Sequence, residues 1–281
     1  MILQWSLSGA LALFLSACVT QAPPPGSAAS PTPPNPGLYD LVRLDDPSVG
    51  RCYWQGRARP FVFQESDYIR GYFEAADLEA YRRVLPARFT MPDIPVRPLV
   101  RVAFIDFYDM AEGPTYREAE IAVLAMDGAQ PGWLPLTLPV TNGVSCYGGR
   151  QVLGLPKVVR RITLERSAGR YVGTLFAVGG ERPQTTLTVE IGEPADGTRE
   201  LLRQYSVFPQ FGLLGGRVLR YGGTGQSYAE LMRRGDYEIR LGRARLEYSP
   251  EPENLLRRLG VGAPLAAHWS RIRARYTISP M

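Results

Sequence analysis

From Leu99 onward the apolar residues fall into short runs rich in β-branched and aromatic side chains, each bounded by Gly, Pro or Asp. Such side chains pack well on a pleated surface and the bounding residues punctuate it, so strands are predicted at residues 100–107, 120–124, 133–140, 158–164, 171–178 and 185–191. Later strands are predicted at 217–221, 237–246 and 272–278. Helical periodicity is scarce. It is clearest over 77–85, where Leu78, Tyr81 and Leu85 share a helical face and Pro86 closes the segment. Residues 142–153 and 252–259 are the other helical candidates, and no internal repeat is visible. This balance predicts a mainly β chain of the α+β class: an antiparallel curved sheet or barrel with a few peripheral helices.

The first 37 residues break the pattern. Residues 7–17 are largely apolar but far short of the roughly 20 that span a bilayer as a helix, and read as the apolar region of a signal peptide. They end in Leu15-Ser16-Ala17-Cys18, similar to the bacterial lipobox, which implies cleavage before Cys18 and lipidation of its thiol; an ordinary cleaved signal peptide is the alternative. Residues 21–37 hold seven prolines among Ser, Ala and Gly, a composition that favours an extended, semi-rigid spacer. The expected organisation is a signal peptide over 1–17, a lipidated Cys18 and tether over 18–37, and one folded domain over 38–281. A cell-envelope location follows, with the outer membrane facing the periplasm as the default because Val19 is not the Asp that favours inner-membrane retention. An oxidising compartment would let Cys52 and Cys146 pair; two free thiols are the alternative.

Of 281 residues 45% are hydrophobic and 21% charged, enough for a sizeable core. The net charge of +5 is carried by arginines scattered singly and in pairs, without a basic block. That suits weak attraction to anionic lipid and argues against a nucleic-acid partner. One lysine, Lys157, stands among 31 arginines. Arginine does not deprotonate under ordinary conditions, whereas a desolvated lysine can become the neutral amine that attacks a carbonyl. The surrounding segment Gly154-Leu155-Pro156-Lys157-Val158-Val159 is apolar, and its Gly and Pro can turn one side chain inward. Burial there would favour the uncharged amine; an exposed turn lysine is the alternative.

The motif around Lys157 adds a family. Gly149-Arg150-Gln151 followed by Gly154-Leu155-Pro156-Lys157 resembles the Gly-Arg-Glu…Pro-Lys segment of acetoacetate decarboxylases. Tyr116-Arg117-Glu118 is similar to the family's Tyr-x-Glu element, and Pro98-Leu99-Val100-Arg101 to the strand before it. The early helix around Asp77-Leu78-Glu79-Ala80, with its Leu85-Pro86 stop, also resembles the family, and the likeness runs over residues 68–193. The resemblance implies a cone-like closed β-barrel, a Schiff-base lysine at Lys157 and an active-site carboxylate at Glu118. It further implies a pocket role for Tyr116, a bracing or substrate-clamping role for Arg150, and a small keto-acid or other carbonyl substrate with no cofactor. Three positions depart from the family: Val158 replaces its second lysine, Ala103 replaces a second acid, and Arg70 lies out of register with its substrate-facing arginine. Those losses raise the alternative of a non-catalytic ligand-binding lipoprotein.

Other chemistries find little support. His268, the only histidine, reads as a core or surface residue, and no zinc ligand set is visible, so no metal is expected. No Gly-x-Ser-x-Gly elbow is present and Ser270 near His268 is not a triad. The glycine-rich runs at 212–216 and 222–225 read as turns, not phosphate loops. Both a monomer and a homo-oligomer are compatible with the sequence.

Overall fold

Four neighbouring strands carry the fold: β1 (Val62–Ala75), β2 (Leu99–Glu112), β3 (Tyr116–Asp127) and β12 (Val261–Thr277). β1 pairs antiparallel with β2 on one side and β12 on the other, and β3 pairs with β2. Around them lie β4 (Gln130–Val140), β5 (Lys157–Val159), β6 (Ile162–Ser167), β7 (Arg170–Phe176) and β8 (Pro183–Ile191). β9 (Gln210–Leu214), β10 (Arg217–Tyr221) and β11 (Tyr237–Tyr248) complete one sheet in the order β10-β9-β4-β3-β2-β1-β12-β11-β8-β7-β6, with β5 on β4. The helices are α1 (Leu78–Val84), α2 (Gly143–Gln151), α3 (Thr198–Tyr205) and α4 (Leu255–Leu259). This computed structural model describes residues 45–53, 61–222, 233–252 and 254–278, all in the unit Pro33–Met281. The signal segment, Cys18, the tether and residues 223–225 lie outside the described residues.

The mainly β, curved-sheet expectation holds, with three corrections. Among the described residues no ladder joins the edge strands β10 and β6, so the sheet is curved but unclosed. The curl is held instead by packing of β7 across β2, where a Cβ added to Gly173 would fall 2.2 Å from Phe104 Cγ. Nor is the sheet purely antiparallel, since β4 pairs parallel with both β5 and β9. The segment predicted as one strand over 158–164 is also two, β5 and β6, separated by Arg160 and Arg161.

Helix ends follow local chemistry. The Asp77 carboxylate accepts from Ala80 N at 2.8 Å and caps α1, and Asn142 Oδ1 caps α2 through Ser145 N at 2.8 Å. Strand alternation then sorts the buried residues. One face of the β3-β2-β1-β12 array carries Ile69, Val102, Phe104, Ile121 and Trp269, which join Leu187 and Val189 of β8 in the main core. The other face carries Tyr68, Arg70, Ile105, Phe107, Tyr116, Glu118, Glu120, His268 and Ser270, by the register of the ladders. That second face holds the buried polar residues Ser66, Arg101, Glu118, Glu120, His268 and Ser270.

Candidate active site

Lys157 opens β5, the short parallel strand that docks on β4 with Lys157 opposite Leu138. Its side chain crosses to β3, where Nζ donates to Glu118 Oε2 at 2.5 Å. Both residues are buried, 5% and 7% exposed. The stem runs over α2 at Gly149, where an added Cβ would sit 2.3 Å from Lys157 Cδ. Only glycine leaves that passage open. Gly149→Ala should therefore displace the amine from Glu118, while helix propensity offsets by about 1 kcal/mol the cost of crowding. The expected outcome is a thermal midpoint within a few degrees of the parent and a loss of reactivity at Lys157, measured by calorimetry and by trapping of keto-acid adducts.

The surroundings of the amine are aromatic. Nζ lies 5.2 Å from the centroid of the Tyr116 ring; Tyr116 packs at 4.6 Å on Phe107, which packs at 4.7 Å on Phe63. Val140, Cys146 and Val159 complete this apolar cluster. In such a medium a charge is expensive and a paired charge less so. Burial pushes the Glu118 carboxyl above its usual range, helped by Glu120, and the Lys157 ammonium opposes this without cancelling it. Burial, Glu118 and Tyr68 hold the Tyr116 phenol well above its ordinary value, so it stays protonated.

The sign of the Glu118 contribution follows. With a folded pKa above the unfolded value of 4.5, the folded state binds the extra proton. Glu118 thus adds stability that is full below pH 4.5 and is lost as pH rises through the folded value. Glu118→Gln should remove that slope, giving a flatter profile of midpoint against pH above 4.5, while adduct formation falls on the order of 10²–10³-fold. Equal slopes in parent and variant would contradict the assignment.

Arg101 does not compete for Glu118. Its guanidinium binds Glu120 through two contacts of 2.8 Å and lies 4.4 Å over the Trp133 ring. Arg117 turns to Asp106. Arg150 spends its donors on the Lys157 carbonyl and, at 3.2 Å, on Asp45 Oδ1, which also accepts from Val159 N at 2.9 Å. It braces the β5 backbone from behind. Cys52 and Cys146 are bonded to each other, with Cα atoms 5.2 Å apart, and so fasten the segment bearing Asp45 to α2. Asp45, Cys52 and Cys146 are also the one metal-like grouping among the described residues, but both sulfurs are committed to that bond.

The register places two residues that the motifs left aside. Arg70, out of line with the family arginine by sequence, pairs with Ala103 on β2 and His268 on β12, on the Glu118 face. Its guanidinium lies 4.5 Å over the Tyr68 ring. His268 is fully buried, and its Nδ1 has no hydrogen-bond partner among the described residues. Burial, with Arg70 and Arg101 nearby, holds its pKa well below the ordinary value, so it is a neutral imidazole. Ser66, Tyr68 and Tyr276, which no motif marked, also line this face. Their signal is the i, i+2 spacing of Ser66, Tyr68, Arg70 and Tyr72, legible once β1 is known to be a strand.

The acetoacetate decarboxylase family model matches residues 54–278. The chain belongs to the acetoacetate decarboxylase family. The match extends past both ends of the 68–193 motif resemblance. A curated acetoacetate decarboxylase from Streptomyces nogalater is 30% identical over 119 residues, 42% of this chain, so the chain spans about half the length of that relative (46%). Among solved structures, the acetoacetate decarboxylase of Legionella pneumophila covers 81% of this chain and 91% of its own, at 16% identity and TM-score 0.59. The enduracididine biosynthesis enzyme MppR, solved with the condensation product of pyruvate and imidazole 4-carboxaldehyde, covers 79% of this chain and 90% of its own, at 16% identity and TM-score 0.56. These structural likenesses establish the fold.

Proposed function

We propose that this chain is an exported lipoprotein whose folded domain is a Schiff-base lyase acting on a small keto acid through Lys157. The observation that carries the reading is the Lys157 amine, buried among aromatic rings and 2.5 Å from a carboxyl group whose own charge is disfavoured. Attack requires a neutral amine, and passage of the ammonium proton to Glu118 supplies it, leaving two neutral groups in place of the ion pair. The amine then adds to the substrate ketone. Glu118, now an acid, returns its proton to the carbinolamine oxygen, water leaves, and an iminium forms. The iminium draws electrons from the neighbouring carbon. A β-keto acid loses carbon dioxide to give an enamine; an α-keto acid loses a proton from the adjacent carbon and can add to an aldehyde. No step needs a metal or organic cofactor.

Family membership supports the lyase class, and the lipobox ending in Cys18 with the proline-rich tether supports attachment to the cell envelope. The alternative of binding without turnover draws on Val158 and Ala103. With Val158 buried in place of a second lysine, no second cation follows the nucleophile. The test is incubation of the tether-free domain with acetoacetate, pyruvate or acetopyruvate plus borohydride, followed by intact mass and peptide mapping. A reduced adduct at Lys157 is expected; none across the keto-acid panel would overturn the assignment, and adduct without product release would favour binding.

A further inference from the structure

In the first turn of α2 a serine side chain is buried with nothing to bond. Ser145 is fully buried, and its Oγ has no hydrogen-bond partner among the described residues. Its backbone is committed elsewhere, since Ser145 N donates to Asn142 Oδ1 at 2.8 Å. An unpaired buried hydroxyl costs free energy that alanine would spare, so its presence calls for a partner that comes and goes.

Helix geometry sets what that hydroxyl faces. At about 3.6 residues per turn, Ser145 points between Gly148 and Gly149, its neighbours three and four positions on. A Cβ added to Gly148 would fall 3.2 Å from Phe61, and one added to Gly149 would run into the Lys157 stem. Phe61 and Lys157 meet in turn at Tyr116: the Phe61 ring stands edge-on to it at 6.1 Å, and Lys157 Nζ lies 5.2 Å from its centroid. Ser145 thus faces the space between Phe61, Lys157 and Tyr116. Its turn of the helix is also the one beside the amine. Asn142 Nδ2 donates to Thr115 O at 3.3 Å, Thr141 N to Arg117 O at 3.0 Å, and Arg117 N to Thr141 Oγ1 at 2.9 Å. These bonds lay the start of α2 along residues 115–117, next to Glu118, the carboxyl that Lys157 Nζ contacts.

We infer that Ser145 receives the carboxylate of the keto acid bound at Lys157. The inference rests on the Schiff-base reading above. The iminium holds the substrate by its keto carbon, and the carboxylate follows one or two carbons on. Ser145 Oγ–H donates to it, a charge-assisted bond stronger than one between neutral groups. The first turn of α2 carries no acidic side chain, so the positive end of the helix dipole adds a field that favours the anion. Two cations of the neighbourhood are already engaged, Arg101 with Glu120 and Arg150 with Asp45 and the Lys157 carbonyl. The ligand class that this subsite selects is a keto acid over an uncharged ketone.

The experiment sets a charged substrate against an uncharged one on the full chain. Borohydride trapping at Lys157 is measured against concentration for pyruvate and for acetone, in the parent and in Ser145→Ala. The variant should need on the order of 10–100-fold more pyruvate for half-maximal trapping, as loss of a hydrogen bond to a charged group implies. Its acetone curve should stay within about twofold of the parent. Its thermal midpoint should equal or exceed the parent's, because alanine removes an unpaired hydroxyl and is the better helix former. A pyruvate curve unchanged within about twofold would overturn the assignment. Equal losses for pyruvate and acetone, or a pyruvate loss accompanied by a fall in midpoint, would also overturn it and mark Ser145 as a packing residue. A parent that traps neither compound would overturn the Schiff-base reading, and the Ser145 assignment with it.

Discussion

Lys157→Met should abolish borohydride-trapped adduct and reduce any turnover on the order of 10⁴–10⁶-fold, as loss of a covalent nucleophile does. No other lysine exists in the chain to substitute for it. The fold should tolerate the change better than the loss of a buried ion-pair partner usually allows. Such a loss costs about 3–5 kcal/mol when the remaining charge stays ionised. Part of that cost is relieved because burial already shifts Glu118 toward its protonated form. The variant should therefore be close to the parent at low pH and fall behind it as pH rises and Glu118 is forced to ionise. Adding Glu118→Gln should restore midpoint without restoring adduct. Lys157→Arg is the sharper control: it keeps a cation beside Glu118 but supplies no nucleophilic amine. Adduct on any Lys157 variant would remove the lysine from the mechanism.

Much of the fold was legible, and the illegible parts have a common cause. The strands predicted from runs of β-branched and aromatic residues, β2, β4, β7, β8, β10 and β11, lie close to their expected positions. β1 was not anticipated although it is 14 residues long. Its Ser66 and Asp67 are buried, and Asp67 is satisfied only by Arg271 and Arg166, far away in sequence. The rule that polar residues face water fails for Ser66, which lines the site face, and for Asp67, which is ion-paired to arginines on the opposite face. β12 was read only at its end because Gly262, Ala263, Pro264, Ala266 and Ala267 carry no strand preference, yet the small residues fit between its two neighbours. β9 and α3 were missed as well, the first hidden by Gly212 and the second by the charged run Thr198–Tyr205.

At the site, the single lysine in an arginine-rich chain pointed to Lys157, and family spacing pointed to Glu118. The structure puts the two in contact, with Tyr116 beside them and Arg150 behind the strand. What the sequence could not show was the set of partners contributed by β1 and β12. Those strands meet only through pairing of residues about 200 positions apart, such as Tyr68 with Ser270. No local pattern encodes that juxtaposition. The barrel closure implied by the family resemblance was likewise a property of the whole sheet, and here packing of β7 on β2 takes its place.

Removal of the Cys52–Cys146 bond should lower stability by about 4.7 kcal/mol, the chain-entropy value for a loop of its 94-residue separation. For a domain of this size that corresponds to roughly 9–19 °C in midpoint. The effect should reach the site, because the bond fastens the Asp45 segment to α2, and both hold β5. Asp45 binds Val159 N and Arg150, Arg150 binds the Lys157 carbonyl, and α2 presents Gly149 to the lysine stem. Cys52→Ala/Cys146→Ala leaves no free thiol from the pair and should lose trapping rate well below its own melting temperature, as β5 drifts from Glu118. Reducing agent should lower the midpoint of the parent and leave that of the double variant unchanged, which separates loss of the bond from loss of buried sulfur. A midpoint change under about 3 °C, or equal sensitivity of both proteins to reductant, would mean that the two cysteines do not brace the domain. A large midpoint change with an unaltered trapping rate would confine the bond to stability and leave Arg150 to hold the lysine strand alone.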